Sequence, residues 1–180
     1  MTESILQEIK QEFINGYVER GHPFRCFTLG TSQNNVPRLR TVVLRNVLPD
    51  MTFMVYTDLR SPKIETIKHN DIISALFYHP TKQLQISITA KAEIITNPNE
   101  LKTYWENVPD HSKKDYTSQL APGSPINLPE NVIYSDEESH FCVLKLTPTY
   151  IDYLHIKRPN HIRVGFTKNE TGFKGEFLVP

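Results

Sequence analysis

Cysteine is scarce in this sequence: there are two, Cys26 and Cys142. They form no C-x-x-C pair and share no spacing with histidine suited to zinc, which excludes a disulfide scaffold and a cysteine-rich metal site. Each thiol lies in an apolar run, FRCFTL or HFCVLKL, and is expected to be a small buried apolar residue in a reducing compartment. Excess charge of either sign is also absent, because 20 basic side chains balance 20 acidic ones. No face is therefore obliged to bind nucleic acid or an anionic membrane. Apolar runs stop well short of the ~18 residues that span a bilayer. The opening MTESILQEIKQ lacks the basic-then-apolar order of a signal peptide. The expectation is a cytoplasmic protein. Glycine numbers only seven, and no GxGxxG or GxxxxGK run occurs. A phosphate would thus have to be held without a glycine-rich loop.

What the chain has instead is strand. After a helix over 4–20, with Ser4 as its cap, Ile5, Ile9, Phe13 and Tyr17 along one face and Gly21 as its stop, apolar alternation takes over. Strands are predicted over 24–29, 38–47 and 52–57 as an antiparallel meander, with GTSQNN as the first turn. A helix follows from Ser61-Pro62 to His69, then strands over IISALFYH and 83–96. Asn97-Pro98 starts another helix, ELKTYWENV, and a short one is expected near 113–120. The polar, proline-rich stretch to residue 138 reads as a lid or interface loop. HFCVLKLT, YIDYLHI, IRVGFT and GFKGEFLV close the chain as four strands, with NETG as a hairpin turn. With no repeat, linker or sustained βαβ alternation, the 180 residues read as one mainly β domain: an antiparallel barrel of six to eight strands with peripheral helices.

Three runs carry chemistry. RTVVLR, from Arg40 to Arg45, is a strand with a cation at each end; alone it needs no ligand. YTDLRSPK joins a strand end, a turn and a first helical turn, where Thr57, Ser61 and Lys63 or Arg60 can converge on one anion. A phosphate monoester carries roughly −1.5 to −2 charge, which two cations and hydroxyl donors match. In QLQISITAKA, Gln85 lies on the more polar face and can offer both donor and acceptor to a heterocycle edge. HSKKD, from His111, has no metal-ligand pattern and reads as a solvated helix start; no metal site is expected. Trp105 reads as a packing residue.

In this order the three runs resemble the pyridoxamine 5′-phosphate oxidase group of FMN-binding split-barrel proteins, from about Phe24 onward. Tyr56, Thr57, Asp58, Ser61 and Lys63 match its Tyr-Thr-Asn/Asp turn, Gln85 its later-strand glutamine, and His161 with Arg163 its C-terminal His-x-Arg. The resemblance implies an antiparallel split β-barrel that binds FMN between two copies of the chain. Arg40, Lys63 and Arg45 would neutralise the FMN phosphate. Thr41, the main chain of Val42, Val43 and Leu44, and the Tyr56-Thr57 pair would line the flavin and ribityl chain. Gln85, Gln119, Tyr153 and Arg163 would reach it from the other copy, with Tyr153 standing where the family has tryptophan. Tyr104, Ser112 and His161 are the substrate-side candidates, and His161 is the one candidate for moving a proton. Two family arginines that hold the substrate phosphate fall at Val108 and Pro159. The implied activity is an oxidoreductase acting on a small molecule other than pyridoxamine 5′-phosphate. The alternatives left open are a flavin carrier without turnover, a haem- or deazaflavin-binding split barrel, and a true pyridoxamine 5′-phosphate oxidase with Arg158 substituting.

Overall fold

The computed structural model describes residues 1–136 and 138–180. Helix α1 (Thr2–Val18) leads through a 3₁₀ turn (Pro23–Arg25) into β1 (Cys26–Gln33), β2 (Val36–Val43), β3 (Asn46–Val47) and β4 (Phe53–Asp58). Then come α2 (Pro62–His69), β5 (Ile72–His79), β6 (Leu84–Ile95), α3 (Pro98–Glu106) and α4 (Asp110–Lys113). Two 3₁₀ turns, β7 (Phe141–His155), β8 (Ile162–Asn169) and β9 (Gly172–Leu178) complete the chain. All ladders are antiparallel, in the order β2-β1-β5-β6-β7-β4-β3, with β8 and β9 added along the second half of β7.

The sheet closes on itself through β2 and β3, which are one stretch of chain with two partners. β2 pairs with β1 as far as Val43. The Leu44 N–H then donates to Arg25 O at 2.9 Å, and the Arg45 N–H to Met54 O at 2.9 Å. From Asn46 the chain pairs with β4. The barrel is split where one strand changes partner, so the expected continuous strand over 38–47 is two strands and the expected meander does not form. The first turn is also shorter than expected. Asn34 and Asn35, at φ 51 and 61, make a two-residue hairpin, while Gly30 to Gln33 belong to β1.

β7 joins two predicted strands into one of 15 residues. Pro148 sits inside it opposite Ala90, where the β6 register shifts and a missing N–H costs no regular ladder bond. The NETG turn forms as expected, joining β8 to β9. Helix α1 begins at Thr2 and ends at Val18, before Gly21. Ser4 does not cap it; its hydroxyl donates to Met1 O at 2.7 Å. Asn97 does cap α3, accepting from the Asn99 and Glu100 N–H groups at 3.0 and 3.2 Å.

The core lies inside the barrel, where Phe13 of α1 meets Phe53 and Phe77 at ring-centroid distances of 4.7 and 4.9 Å. Gly16 lets α1 approach this closely, since a Cβ there would lie 2.8 Å from Phe24 Cβ. A second cluster, including Met54, Tyr116, Phe141 and Val143, packs on the other face of β4 and β7 under α3, with Tyr56, Tyr104 and Trp105 at its margin. Of the two thiols, Cys142 is buried as expected; Cys26 is exposed, because its side chain alternates to the opposite face of β1 from Phe27.

Candidate functional site

At the junction of β4 and α2 the backbone turns sharply, and Pro62 begins the helix. This brings Lys63 Nζ to donate to Thr57 Oγ1 at 2.7 Å and to Ser61 Oγ at 2.6 Å. Ser61 therefore does not cap α2 with its side chain, and its hydroxyl serves the lysine instead. Both hydroxyl residues are buried. Arg40 completes the cradle from β2: its Nη1 donates to Thr31 Oγ1 at 2.8 Å. Burial lowers the Lys63 pKa, and the Arg40 charge lowers it further. Burial likewise lowers that of Arg40, helped by Arg38. Among the described residues neither cation has a carboxylate within ion-pair distance. Two partly desolvated cations with hydroxyls, at the start of a helix, form a cradle for an anion.

Arg60 is not part of it. Its guanidinium pairs with Asp58, Nη2 to Oδ2 at 2.7 Å. Arg45 makes its own contacts. It lies over the Tyr56 ring, 5.7 Å from the centroid, and bonds toward Tyr116, while its Nε is buried without a hydrogen-bond partner. Tyr56 is half-buried between Arg45 and Tyr104, with ring centroids 6.3 Å from the latter. Burial raises the pKa of both phenols.

Strand register places several other expected residues on the outer face of the sheet. Leu39, Thr41 and Val43 alternate outward on β2, while Val42 and Leu44 point into the core. The same face continues across Thr28, Leu76 and Tyr78 to Gln85, then to Leu154 and Arg163. Arg163 is held by Asp152, Nη2 to Oδ2 at 2.7 Å. Gln119 is exposed in the loop after α4, its N–H donating to Ile133 O at 2.8 Å. Within one chain, Gln85 and Arg163 stay on that outer face, while Gln119 meets the β4–α2 turn through its carbonyl, which accepts from Arg60 Nη1 at 2.9 Å. Tyr153 does not reach the surface at all. It is 1% exposed, with its hydroxyl 3.2 Å from both Glu8 Oε2 and His155 Nδ1, so it packs the core and offers no ring for stacking.

Of the residues expected to face a substrate, Tyr104 donates to Glu100 at 3.4 Å, and half-buried Ser112 lies in α4. His161 is exposed in the loop before β8, its Nδ1 accepting from the Lys157 N–H at 3.2 Å. Val108 is buried in the second cluster and Pro159 is exposed, so no cation stands at either place.

Sequence reasoning missed one titratable group altogether, formed by Glu12, His22 and His79, whose ligand atoms lie within 4.8 Å of one another. The hydrogen bonds of the two rings speak against a metal here. His22 Nδ1 accepts from the Phe24 N–H and His79 Nδ1 from the Lys82 N–H, which leaves the proton of each neutral ring on Nε2. His22 Nε2 faces Glu12 Oε2 at 3.3 Å, and Lys82 Nζ holds the other carboxylate oxygen. Residues from a helix, a loop and a strand end meet here, and no local spacing announces it.

The fold defines a split-barrel protein, and its β4–α2 turn sets two cations beside hydroxyl groups, an arrangement able to accept an anion. Residues 3–96 match the family model described as pyridoxamine 5′-phosphate oxidase, FMN-binding domain, and the chain belongs to that family. It is 29% identical over 172 residues to pyridoxine/pyridoxamine 5′-phosphate oxidase 2 of Arabidopsis thaliana, covering 88% of this chain and 84% of that protein. It is 31% identical over 132 residues to a Vibrio cholerae pyridoxine/pyridoxamine 5′-phosphate oxidase, covering 60% of this chain and 61% of the relative. Among solved structures, a pyridoxamine 5′-phosphate oxidase-related FMN-binding protein of Nostoc punctiforme superposes with a TM-score of 0.80 at 22% identity, covering 97% of this chain and 96% of that one. PhzG of Burkholderia lata, solved with tetrahydrophenazine-1-carboxylic acid, gives 0.79 at 15% identity, covering 97% and 92%. These two likenesses establish the shared fold.

The donor set fits the phosphate of FMN. Neither cation has a carboxylate in ion-pair contact among the described residues, burial disfavours the charge of both although Asp58 partly offsets this at Lys63, and a dianion would favour it. Thr57 and Ser61 supply hydroxyls already within hydrogen-bond distance of the lysine.

Proposed function

We propose that the chain binds FMN as a homodimer and uses it to oxidise or reduce a small molecule other than pyridoxamine 5′-phosphate. The observation that carries this reading is the cradle of Lys63, Thr57, Ser61 and Arg40, partly desolvated and, among the described residues, without a carboxylate in ion-pair contact. When bound, the flavin supplies the transfer of a hydride or electron pair, and the chain supplies grip, orientation and shelter from water. Lys63 and Arg40 bind the phosphate. The main chain of Val42 to Leu44 lies beside the Tyr56-Thr57 strand end, where it lines the ribityl chain. Gln85, Gln119 and Arg163 of the partner subunit close the ring edge. Arg45, removed from the phosphate cradle, belongs with Tyr56 and Tyr104 on the substrate side.

The substrate assignment follows from what replaces the family's cations. Val108 is buried among apolar side chains, and Pro159 has neither a charge nor an N–H to donate. Each lost charge-assisted bond is worth roughly 1.5–3 kcal/mol, so a second phosphate would be held weakly. Purified protein reconstituted with FMN should show no oxidation of pyridoxamine 5′-phosphate by oxygen, and reduction by NAD(P)H or by a candidate amine should bleach the flavin band. Turnover of pyridoxamine 5′-phosphate would overturn the substrate assignment. Flavin that binds but is never reduced would make the protein a carrier.

The cofactor assignment is tested by Arg40→Ala combined with Lys63→Ala. Loss of two charge-assisted contacts should lower FMN affinity by about a hundred- to ten-thousand-fold, read from quenching of free flavin fluorescence on titration. Unchanged affinity in a folded double variant would refute the cradle as the phosphate site.

A further inference from the structure

Asp58 closes β4 with its side chain only 3% exposed, a place where an unpaired carboxylate is costly. Arg60 satisfies it from two residues away. Asp58 Oδ1 accepts from the Arg60 N–H at 2.7 Å and from Nε at 3.1 Å, and Oδ2 accepts from Nη2 at 2.7 Å. This fork fixes the guanidinium plane and leaves its other N–H groups facing away from the anion cradle. They reach the loop after α4: Nη1 donates to Gln119 O at 2.9 Å and Nη2 to Ser118 O at 2.8 Å.

Other backbone bonds holding that loop are few. Ser118 forms an isolated bridge with Tyr134, Gln119 N–H donates to Ile133 O, and Ser135 N–H donates to Thr117 O at 2.7 Å. Leu120 beside it is 56% exposed, so burial contributes little to its order. The opposite side of the same turn serves the cradle. Ser61 N–H donates to Asp58 O at 3.0 Å, and Ser61 Oγ accepts from Lys63. One short turn thus grips an anion on one side and a loop on the other.

We propose that Arg60 is a positioning residue, which fastens the loop around Gln119 to the anion-binding turn and makes loading of the Lys63 cradle and ordering of the loop one coupled event. The identity of the anion as the FMN phosphate rests on the reading given above. The fastening itself rests on the hydrogen bonds alone. Lysine cannot replace Arg60, because one ammonium cannot hold a carboxylate in a fork and two carbonyls at once. Coupling of this kind is reciprocal: whatever factor FMN gives the loop in protection, the ordered loop returns to FMN in affinity.

The test compares the full-length chain with Arg60→Ala and Arg60→Lys by amide hydrogen exchange, each without ligand, with FMN and with inorganic phosphate, alongside FMN titration. Expected first is faster exchange at 117–121 in both variants without ligand, with barrel strands unchanged. Expected next is that FMN slows the loop at least tenfold in the wild-type chain and less than twofold in Arg60→Ala at saturation. FMN affinity in Arg60→Ala should fall by the same factor that loop protection loses, a match that a merely structural role would not produce. Should Arg60→Ala fail to fold, Arg60→Lys carries the comparison and should also lose the protection. Loop exchange identical to wild type in the variants, or full protection by FMN in a folded variant, overturns the proposal. A wild-type chain that takes no FMN refutes the cofactor reading instead. Phosphate then remains the probe, and failure of phosphate to protect the loop overturns the coupling.

Discussion

In the proposed cradle Lys63 carries the binding chemistry, and its protonation makes that proposal measurable. Burial and Arg40 lower its pKa, so in the folded chain the charged form is disfavoured relative to the unfolded chain. Between the lowered pKa and the ordinary value the unfolded chain holds more protons. Stability contributed by this site therefore rises as pH rises through that window. A bound dianion acts in the opposite sense, favouring charged Lys63 and drawing in a proton. FMN affinity should therefore fall as pH rises through the lowered Lys63 pKa, and binding there should take up protons, as titration calorimetry in two buffers of different ionisation heat would show. Affinity independent of pH across that range would remove Lys63 from the phosphate. The thiols give a second test. Burial pushes Cys142 up to about 11, whereas Cys26 is exposed. An aromatic disulfide reagent near pH 8 should leave Cys142 unlabelled in the folded chain and react with it only on unfolding. At this scale the sequence was legible where neighbours along the chain decide the geometry. Thr57, Ser61 and Lys63 meet because a strand end and a first helical turn leave them little choice. Arg45, Arg60 and Tyr153 were not legible, because Tyr116, Asp58 and Glu8 decide where they point, and two of those three partners are distant in the chain.

Among the elements, α1 does more than cover one end of the barrel. It drives Phe13 into the aromatic core between Phe24, Phe53 and Phe77, and it brings Glu8 to Tyr153 and Glu12 to His22 and Lys82. Truncating Phe13 removes a fully buried ring and leaves a void that a barrel wall cannot close. Phe13→Ala should cost about 3–5 kcal/mol, read as a lower urea midpoint at unchanged slope. A loss below about 1 kcal/mol would mean that α1 does not hold the core together. The helix was readable from the four-residue recurrence of Ile5, Ile9 and Phe13, which tertiary packing reinforces. The β2–β3 partner change and the fused β7 were not readable, since both depend on pairing. Alternation continues through Leu44 although the hydrogen-bond partner switches there, and Pro148 looks like a strand end until Ala90 supplies the bulge opposite it.

For the whole molecule, the outer face of β2, β1, β5 and β6 is the informative surface. Leu39 is 72% exposed, Ile72 48%, Leu76 40% and Tyr78 50%, on a sheet face that also carries Gln85 and Arg163. Exposed apolar side chains grouped on one sheet face are what the proposed dimer would bury. In the proposed dimer a second copy covers this face, and a two-fold axis would carry Gln85 and Arg163 to the neighbour's cradle. Leu39→Asp with Leu76→Asp places two carboxylates at the centre of that face without touching either core. The double variant should keep its strand-rich circular dichroism and run by light scattering at the 20.8 kDa of one chain, against twice that for the wild type. Its FMN affinity should fall at least tenfold while the phosphate grip survives, so that Lys63→Ala still weakens binding further. A wild-type chain that is monomeric with FMN bound would show that one chain suffices, and a dimer that persists in the double variant would place the interface elsewhere.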